Sequence, residues 1–549
     1  MLKTEAGHRS ENTTHSVVNQ APALRDYNLF AMDRVLSEGA QREGAGALLP
    51  VFEDFGRLVG SEQAIGWGFQ ANENPPVLHT HDRFGNRIDE IEFHPAWHEL
   101  MRFSIENGLA SLPWEDSTPG AQVARIVLMF LASQNEAGHT CPVSMTSSAI
   151  PALRKESDLE REWIPRILAK SYDPRSRPPA GKSGVLIGMA MTEKQGGSDV
   201  RANTTLAQPT GAREYRLTGH KWFCSAPMSD AFLLLAQAPG GLTCFLLPRW
   251  TPDGGRNRFH IQRLKPKLGN RSNASGEVEF DGAWARRIGE EGRGVPAIIE
   301  MVQHTRLDCV MGSAALMRQA LVQAIHHARH RGAFGRLLID QPLMQNVLAD
   351  LALESEAATM LMLRLARAFG ARGTDTKEHG MARLGTAVAK YWIGKRCSAH
   401  VAEALECLGG NGYVEECIMP RLYREAPLNS IWEGSGNIIC LDILRAIQKE
   451  PEALASVLDE IRLARGTDRH FDAWLERIEA ATRMAATEAE ARRLAEILAL
   501  ALQASLLVRF SIPAVADAFC ATRLSPEGGR AFGTLPPHVD FDAILARAF

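Results

Sequence analysis

Closely spaced cysteines are absent from this 549-residue sequence, whose nine cysteines lie between Cys141 and Cys520 and form no C-x-x-C pair. Disulfide frameworks and structural zinc sites use such spacings, so neither is indicated and a reducing cytoplasm fits the chain best. Residues 1–20 mix charged and small polar residues and lack the apolar core of a signal peptide. We therefore expect a flexible tail at this end.

Long apolar runs are also missing. The strongest run, residues 496–509, is interrupted by Gln503 and Ser505. It is far shorter than the roughly 20 residues that span a bilayer. We predict a buried helix at this position and no membrane partner.

A large excess of charge of either sign is absent as well. The formal net charge is -3 and the sequence pI is about 6.6, which gives no global reason to expect nucleic-acid binding and leaves only a local patch for it. With 45% hydrophobic and 23% charged residues, the chain can bury a large core. Its length predicts three or four domains.

The spacing of apolar residues divides the chain into four parts. Helical periodicity, as at Val123, Ile126 and Val127, gives way to short apolar runs separated by turn residues, and then returns. The short runs lie at 185–191, 215–217, 232–235, 244–247, 259–264 and 278–280. We predict an α+β multidomain fold with an N-terminal helical domain and its tail (1–180), a β domain (181–288), a helix bundle (289–447) and an appended helical domain (448–549).

The carboxylate of Glu433 is the main candidate for catalysis. The residue follows the apolar pair Ile431 and Trp432 and precedes Gly434 and Gly436. Its carboxylate can therefore face an apolar pocket, while the backbone N–H groups stay free for a ligand. That arrangement suits α-proton abstraction. For an isolated W-E-G sequence, a residue at a helix N-terminus, stabilised by the helix dipole, is the simpler interpretation.

Two segments of the predicted β domain carry further chemistry. MTEKQGGSD, residues 191–199, emerges from an apolar run and offers backbone amides to a polar planar ligand or a phosphate. HKWFCS, residues 220–225, places two aromatics next to a thiol and a hydroxyl, as a stacking surface requires. Alone, the first is equally consistent with an ordinary loop and the second with core packing.

Together, in this order and domain context, the three segments resemble the acyl-CoA dehydrogenase family over roughly residues 26–447. The resemblance implies FAD as cofactor, an acyl-CoA or related small substrate, and Glu433 as the catalytic base. It also implies cofactor contacts at positions that match the family's motifs. These are Met191, Thr192, Gly197, Ser198, Trp222, Phe223, Cys224, Ser225, Gly409, Gly410, Ile431, Ser435 and Asn437.

A further match, the sequence RGAFG at residues 331–335, is similar to the family's R-x-x-F-G. In the family this Arg and Phe reach FAD bound by a neighbouring subunit, so the resemblance implies a homotetramer and adds Arg331 and Phe334 to the cofactor contacts. The glutamine that follows in the family is displaced by one position here, since Gln341 precedes the expected position and Pro342 occupies it. That departure puts part of the adenine recognition in doubt.

Several segments resemble the AidB-like branch of the family more closely. They are FHPAWH (93–98), GHKWF (219–223), KLGNRSNAS (267–275), NSIWEGSGNI (429–438) and the C-terminal extension. This resemblance implies a role in the adaptive response to DNA alkylation, weak isovaleryl-CoA dehydrogenase activity, and binding of double-stranded DNA through the C-terminal domain. Residues 449–549 contain 12 Lys and Arg against 15 Asp and Glu, so only a local arginine groove could serve. Arg445 is the best single candidate.

Other chemistry is weakly indicated. His326 and His330 have a zinc-compatible spacing but no third ligand, so we predict no metal site. Arg263, Lys265, Lys267 and Arg271 could meet phosphate, although an ion-pair network or a solvated surface is simpler. The sequence GNG at 410–412 lacks the preceding strand and third glycine of an NAD fingerprint.

Two alternative functions stay open at the level of sequence. One is a metabolic acyl-CoA dehydrogenase that does not bind DNA and whose extra domain serves assembly. The other is a DNA-binding protein whose FAD does not turn over. The pocket residues that select an acyl chain are set by packing, and the sequence alone does not identify them.

Overall fold

The computed structural model describes residues 14–115, 118–483, 486–525 and 528–549. Most of the expected flexible tail, residues 1–13, lies outside the described residues, as do Pro526 and Glu527 of the C-terminal segment. Helices and strands are both present, as predicted, and the long strands fall between Ile187 and Ile288.

The N-terminal part is helical and carries one β-hairpin that the sequence analysis did not predict. Asp82 closes its turn by accepting hydrogen bonds from the backbone N–H groups of Phe84 (2.8 Å) and Asn86 (2.9 Å). In chain order this part contains Arg34–Ala40 (α1), Leu49–Val59 (α2), Glu62–Glu73 (α3), the strands Val77–His81 (β1) and Arg87–Glu92 (β2), Pro95–Glu106 (α4), Leu112–Glu115 (α5), Pro119–Asn135 (α6), Thr140–Ser148 (α7), Ile150–Leu153 (α8) and Ser157–Leu168 (α9).

A seven-stranded sheet forms the middle of the chain, with strand order β3-β6-β4-β5-β9-β7, and β8 pairs with β9. Because β7 also pairs with β6, the sheet closes into a barrel, and the interior of this barrel holds Phe232, Phe245 and Phe259. The strands are Ile187–Ala190 (β3), Leu206–Pro209 (β4), Glu214–Ser225 (β5), Ala231–Ala238 (β6), Gly241–Pro248 (β7), Phe259–Leu264 (β8) and Ser275–Ile288 (β9).

Helices dominate the rest of the chain. Helices α6, α10, α11, α13 and α18 contribute to one continuous core, so the C-terminal extension packs directly on the bundle. The elements are Gly294–His330 (α10), Gly332–Ala333 (β10), Arg336–Leu337 (β11), Pro342–Ala371 (α11), Thr376–Gly380 (α12), Thr386–Glu406 (α13), Met419–Glu425 (α14), Gly436–Lys449 (α15), Pro451–Arg462 (α16), Arg469–Arg483 (α17), Ala491–Phe510 (α18), Pro513–Arg523 (α19) and Phe541–Ala548 (α20).

The predicted buried helix at 496–509 lies within α18, whose middle is buried on all sides. Its two polar interruptions are satisfied: Gln503 accepts a hydrogen bond from the Trp392 indole at 3.0 Å, and the Ser505 hydroxyl donates to the Glu460 carbonyl at 3.1 Å. Buried polar groups need such partners. Among the described residues, no helix is long and apolar enough to cross a membrane.

Candidate active site

The two β-domain segments meet at the end of β3. The backbone N–H of Trp222 donates to the Thr192 carbonyl at 2.8 Å, and the backbone N–H of Lys194 donates to the His220 ring at 3.0 Å. Segments that are distant in sequence therefore form one surface, with Gly197 and Ser198 exposed beside it.

A buried ion pair fixes this junction. The Lys221 ammonium lies 2.7 Å from Glu193 and 2.7 Å from the Leu235 carbonyl, and both charged side chains are fully buried. Burial opposes ionisation of Glu193, but the charge of Lys221 and hydrogen bonds from Thr205 and Thr204 lower the pKa of Glu193 to about 2. The pair holds the strand that carries Trp222 against the turn that carries Thr192.

An aromatic surface follows on β5. Trp222 is partly buried and Phe223 is 51% exposed, while the Lys265 ammonium lies 3.5 Å from the Trp222 ring centroid and 4.6 Å from that of Phe223. Such a surface can hold a planar ligand. Cys224 lies on the other side of the strand, because a register shift between Lys221 and Cys224 turns its side chain into the barrel core, where it is fully buried. Only its backbone can face a ligand.

Glu433 has an unusual backbone conformation. Its φ of 57° lies in the left-handed region, and Gly434 follows with φ 110°. A non-glycine residue there costs of order 1–3 kcal/mol and keeps this conformation only where its surroundings impose it. The Oε2 atom is buried and has no hydrogen-bond partner within the described part of the chain. An unpaired, buried carboxylate oxygen is what a base awaiting a substrate proton requires.

Two cations hold the Glu433 turn by its carbonyls. Arg306 on α10 donates from Nε to the Glu433 carbonyl at 3.2 Å, and the buried ammonium of Lys390 on α13 donates to the Gly434 carbonyl. Asp442 on α15 pairs with Arg306 at 2.6 Å and also with Arg383 at 3.0 Å. Three helices therefore impose the conformation that Glu433 would not adopt alone.

Burial raises the pKa of Glu433 above its ordinary value. The charges of Arg306 and Lys390 and the side chain of Thr305 oppose the rise, whereas Asp308 adds to it. A carboxylate with a raised pKa is a stronger base than a solvated one, which favours proton abstraction from a weak carbon acid.

Cys141 lies near both the Glu433 turn and the β-domain segments, because Trp432 and Met191 pack against the hydrophobic cluster that contains it. Burial raises the pKa of this thiol to about 12; Lys267 and Ser225 oppose the rise, and the Glu433 carboxylate adds to it. With its raised pKa the thiol stays protonated, so it adds a neutral side chain to the site and no nucleophile.

Ile431, Ser435 and Asn437 flank the same turn at the start of α15. Ile431 is exposed, the Ser435 hydroxyl makes no capping hydrogen bond to the helix, and the side-chain oxygen Oδ1 of Asn437 accepts from Arg492 at 2.8 Å. The unused N–H groups at this helix end suit a phosphate or another polar group. Together with the exposed glycines at 196–197 and the aromatic surface, these residues fit a dinucleotide such as FAD.

Arg331, Phe334, Gly409 and Gly410 do not join this cluster. Arg331 follows α10 and lies 25 residues beyond Arg306, which is about 37 Å at the rise of an α-helix. Phe334 is 97% exposed with φ 52°, and both glycines are exposed. At that distance Arg331 and Phe334 cannot contact a ring held beside Glu433 within one chain. Leu408 and Asn411, which flank the two glycines, line the same cavity as His326 near the far end of α10.

The basic residues at 263, 265, 267 and 271 are engaged in ion pairs and hydrogen bonds. Arg263 and Lys265 each lie 2.7 Å from Glu277, while the partly buried Lys267 donates to the Asn273 carbonyl at 2.6 Å. Arg271 donates to its neighbour, the Leu268 carbonyl. The ion-pair interpretation therefore describes this cluster better than a phosphate site.

The described residues contain no cluster of three or more metal-ligating side chains. His326 donates to the Pro22 carbonyl at 2.9 Å, and His330 bonds to the His326 carbonyl at 2.7 Å. Both rings thus have structural contacts.

Arg445 lies exposed on α15 and has no ion-pair partner within the described ranges. Three other arginines of the C-terminal extension are engaged: Arg462 and Arg465 pair with Glu479, and Arg492 bonds to Asn437. Arg493 on α18 is exposed.

Sequence reasoning missed the residues that position the candidate base and the aromatic surface. Glu193 and Lys221 belong to the segments MTEKQGGSD and HKWFCS, but the ion pair between them becomes evident only from the burial of both side chains. The signal in the sequence for Arg306 and Lys390 is a charged residue within an otherwise apolar, buried helical face.

Comparison with known proteins places these observations in a family. Residues 19–174 match the model of the adaptive response protein AidB N-terminal domain, residues 188–283 the acyl-CoA dehydrogenase middle domain, and residues 292–448 the acyl-CoA dehydrogenase C-terminal domain.

Individual relatives agree with this assignment. The chain is 46% identical to AidB of Escherichia coli over 518 residues, covering 94% of this chain and 95% of that protein. It is 33% identical to acyl-CoA dehydrogenase family member 11 of Caenorhabditis elegans over 408 residues, or 70% of this chain and 65% of the relative.

Solved structures share the fold. Caenorhabditis elegans ACDH-11, in complex with C11-CoA, superposes with a TM-score of 0.84 at 27% identity and covers 95% of this chain and 94% of that one. The apo form of Bd2924 gives 0.80 at 28% identity over 90% and 99%. The predicted fold and the AidB-like resemblance are thereby confirmed. The chain belongs to the acyl-CoA dehydrogenase family of FAD-dependent oxidoreductases, in the group that carries the AidB N-terminal domain.

Proposed function

We propose that this protein oxidises an acyl-CoA thioester at Cα and Cβ, with weak activity toward isovaleryl-CoA, and that it associates with double-stranded DNA to protect it during the adaptive response to alkylation. The observation that carries the enzymatic part is the buried, unpaired Oε2 of Glu433 on a turn held by Arg306 and Lys390. The similarity to AidB of Escherichia coli supports the protective role.

In the proposed reaction, Glu433 removes a proton from Cα of the thioester and becomes protonated. FAD, when bound, supplies the acceptor for the hydride equivalent that leaves Cβ, so the product gains a Cα–Cβ double bond. The backbone N–H of Glu433 makes no backbone hydrogen bond within the described part of the chain, so it is free to donate to the thioester carbonyl. That hydrogen bond stabilises the negative charge that develops on the carbonyl oxygen.

The residues proposed to hold FAD divide between two places. Thr192, Ser198, Trp222 and Phe223 belong to the surface beside Glu433, together with those that follow the same elements: Met191, Gly197, Ser225, Ile431, Ser435 and Asn437. The backbone of Cys224 belongs to the same group. Arg331, Phe334, Gly409 and Gly410 would serve the FAD of a neighbouring subunit, because α10 separates Arg331 from Glu433.

This separation supports the proposal of a homotetramer, in which each flavin lies between two subunits. The near-complete exposure of Phe334 is typical of an aromatic residue at a protein interface. All nine cysteines are free thiols, which supports the proposed location in a reducing cytoplasm.

Anaerobic mixing of the FAD-loaded protein with a panel of acyl-CoA thioesters tests the enzymatic proposal. We expect isovaleryl-CoA to bleach the flavin absorbance, slowly but to completion, because the base and the flavin segments are in place. Mixing with CoA alone is the control and leaves the flavin oxidised. If no thioester of the panel reduces the flavin, the protein is no acyl-CoA dehydrogenase in function, and a DNA-binding protein with non-turnover FAD becomes the better account.

DNA association is tested with Arg445→Ala. Removing one phosphate contact should weaken binding to duplex DNA severalfold at low salt and reduce the slope of log affinity against log salt by about one. Arg83→Ala, an exposed arginine on the distant β1–β2 hairpin, is the matched control and should leave binding unchanged. Absence of any duplex binding by the wild-type protein at low salt contradicts the DNA proposal and favours a metabolic dehydrogenase.

A further inference from the structure

A small β-hairpin follows α10 and carries Phe334 at its tip. Gly332 pairs with Leu337 and Ala333 pairs with Arg336, so each strand contributes only two paired residues. A two-stranded hairpin of this size is at best marginally stable on its own. Its shape therefore depends on bonds to the rest of the chain.

The turn of this hairpin has a strained backbone. Phe334 has φ 52° and Gly335 has φ 82°, and a two-residue type I′ turn requires positive φ at both of these positions. Asparagine, aspartate or glycine normally occupies the first position, because a bulky side chain disfavours the left-handed region. The ring of Phe334 is nevertheless held there with 97% of its surface exposed. Strain at an exposed aromatic residue indicates a contact outside the chain.

Asn19 supports the hairpin at the outer edge of β10. Its side-chain amide donates to the Gly332 carbonyl at 2.8 Å and accepts from the Gly332 N–H at 2.7 Å. Both backbone groups of this strand residue are thereby paired, as a third strand would pair them. The backbone carbonyl of Asn19 also accepts from Nη1 of Arg331 at 2.5 Å. One residue of the N-terminal segment thus holds the edge of the hairpin and the side chain of Arg331.

Gln341 supports the hairpin next to its tip. It is the N-cap residue of α11, but its side chain makes no capping hydrogen bond to that helix. Its amide instead donates from Nε2 to the Ala333 carbonyl at 3.0 Å, one residue before Phe334. The backbone of Gln341 is held separately, because its N–H donates to the Leu338 carbonyl at 3.1 Å. Removing the side-chain amide would therefore leave the start of α11 intact.

The base of the hairpin is fixed by backbone bonds. The N–H of Arg331 donates to the His327 carbonyl at 2.9 Å, which continues α10, and the carbonyl of Arg331 accepts from the Leu338 N–H at 2.9 Å. These two bonds reach neither the outer edge of β10 nor the residue beside the tip. Asn19 and Gln341 bond at these two places, so their side chains complete the support of the hairpin.

These bonds give Gln341 a use that its place in the sequence did not suggest. Pro342 stands where a glutamine was expected, and the amide of Gln341 bonds to the hairpin. We propose that Gln341 and Asn19 are positioning residues for FAD bound by a neighbouring subunit. By holding the hairpin they keep Arg331 and Phe334 in the conformation that contacts this cofactor. The inference rests on the proposed function and adds to it the residues that shape the contact.

The rate at which FAD leaves the FAD-loaded protein tests the proposal, and the rise in flavin fluorescence after dilution measures it. Gln341→Leu keeps the volume of the side chain and removes its amide. Release should be about threefold to tenfold faster than in wild type, the effect of one lost hydrogen bond. Gln345→Leu is the matched control, because this glutamine lies in the first turn of the same helix and donates to Asp542 at 3.2 Å. Its release rate should equal that of wild type.

Asn19→Gly tests the second support in the same assay. Asn19 has φ 57°, an angle that glycine adopts without strain, so the variant removes the side chain and keeps the path of the backbone. It loses both side-chain bonds to Gly332 and should release FAD about fivefold faster or more. Asn19 is exposed and Gln341 is partly exposed, so neither substitution disturbs the core.

A combined variant shows whether the supports act through the residues that they hold. Arg331→Ala with Phe334→Ala should speed release about tenfold or more, because it removes the proposed contacts. Adding Gln341→Leu to this pair should change the rate by less than about twofold, since the support then has nothing to position.

Three outcomes overturn the inference. One is wild-type release from both Gln341→Leu and Asn19→Gly while the Arg331 and Phe334 pair of substitutions speeds release. Another is a full, additive effect of Gln341→Leu on that pair, which would show that this side chain acts elsewhere. If the pair itself leaves release unchanged, the neighbouring-subunit contact of the proposed function is wrong, and the inference is overturned together with it.

Discussion

Replacing Glu433 with glutamine should abolish reduction of the flavin by an acyl-CoA while leaving FAD bound. Glutamine keeps the shape and the backbone contacts to Arg306 but cannot accept the α-proton. General bases contribute about 10²–10⁴ to a rate, and the account assigns the whole proton transfer to this residue, so a fall of about 10³ or more is expected. Anaerobic stopped-flow measurement of the flavin absorbance, with FAD content determined in parallel, gives the answer.

Glu425→Gln is the matched control for that experiment. Glu425 on α14 is also a buried carboxyl, its pKa is raised by burial to about 7, and it accepts a hydrogen bond from the Asn270 backbone that glutamine can accept as well. It lies outside the proposed catalytic residues, so flavin reduction should persist. If Glu433→Gln retained a tenth or more of the wild-type rate, another group would have to be the base.

Lys221→Met should cause the largest loss of stability among single changes near the site. Lys221 is 1% exposed and pairs with the fully buried Glu193. Methionine fills a similar volume but leaves the carboxylate without its partner, which costs about 3–5 kcal/mol in comparable buried pairs. Urea unfolding should therefore begin at a clearly lower concentration than in wild type.

Lys194→Met is the control for the stability measurement. Lys194 lies in the same turn, is exposed, and stands 3.8 Å from Glu279, so its loss should cost less than about 1 kcal/mol. Equal effects of the two substitutions would show that the Lys221–Glu193 pair has no special part in holding the two segments together.

The helix and strand pattern followed from apolar periodicity wherever one face of an element is buried. Strand β8 was predicted with its observed bounds, Phe259–Leu264. Strand β5 was predicted only at 215–217 but extends over Glu214–Ser225. Its first positions alternate between exposed and buried, but register shifts at Leu217/Thr218 and at Lys221/Cys224 break that alternation in the rest of the strand. A strand that presents polar and aromatic residues for binding loses the simple apolar alternation that periodicity detects.

The candidate base could be named from sequence because its motif is contiguous. The residues that position it could not, since Arg306 is 127 residues from Glu433 and Lys390 is 44 residues from Gly434. Lys221 and Glu193 are 28 residues apart. Such contacts exist only once the helices and the barrel have packed, and no local pattern encodes them.

The direction of the Cys224 side chain also depends on the folded strand. Its place beside Trp222 and Phe223 made it a plausible ligand contact. A register shift between Lys221 and Cys224 interrupts the alternation of the strand, so Phe223 is exposed beside the partly buried Trp222 whereas Cys224 lies in the barrel core. The N-terminal hairpin β1–β2 was missed because its short strands are mostly polar and Asp89 is their one buried residue.

Deuterium at Cα of isovaleryl-CoA gives the most direct test of the central claim, that Glu433 takes the α-proton from an acyl-CoA held beside the flavin. Under anaerobic conditions with the FAD-loaded wild-type protein, the account predicts that flavin reduction by the Cα-deuterated thioester is severalfold slower than by the unlabelled one. Identical rates for the two thioesters at saturating concentration, or reduction that proceeds equally well in Glu433→Gln, would contradict it.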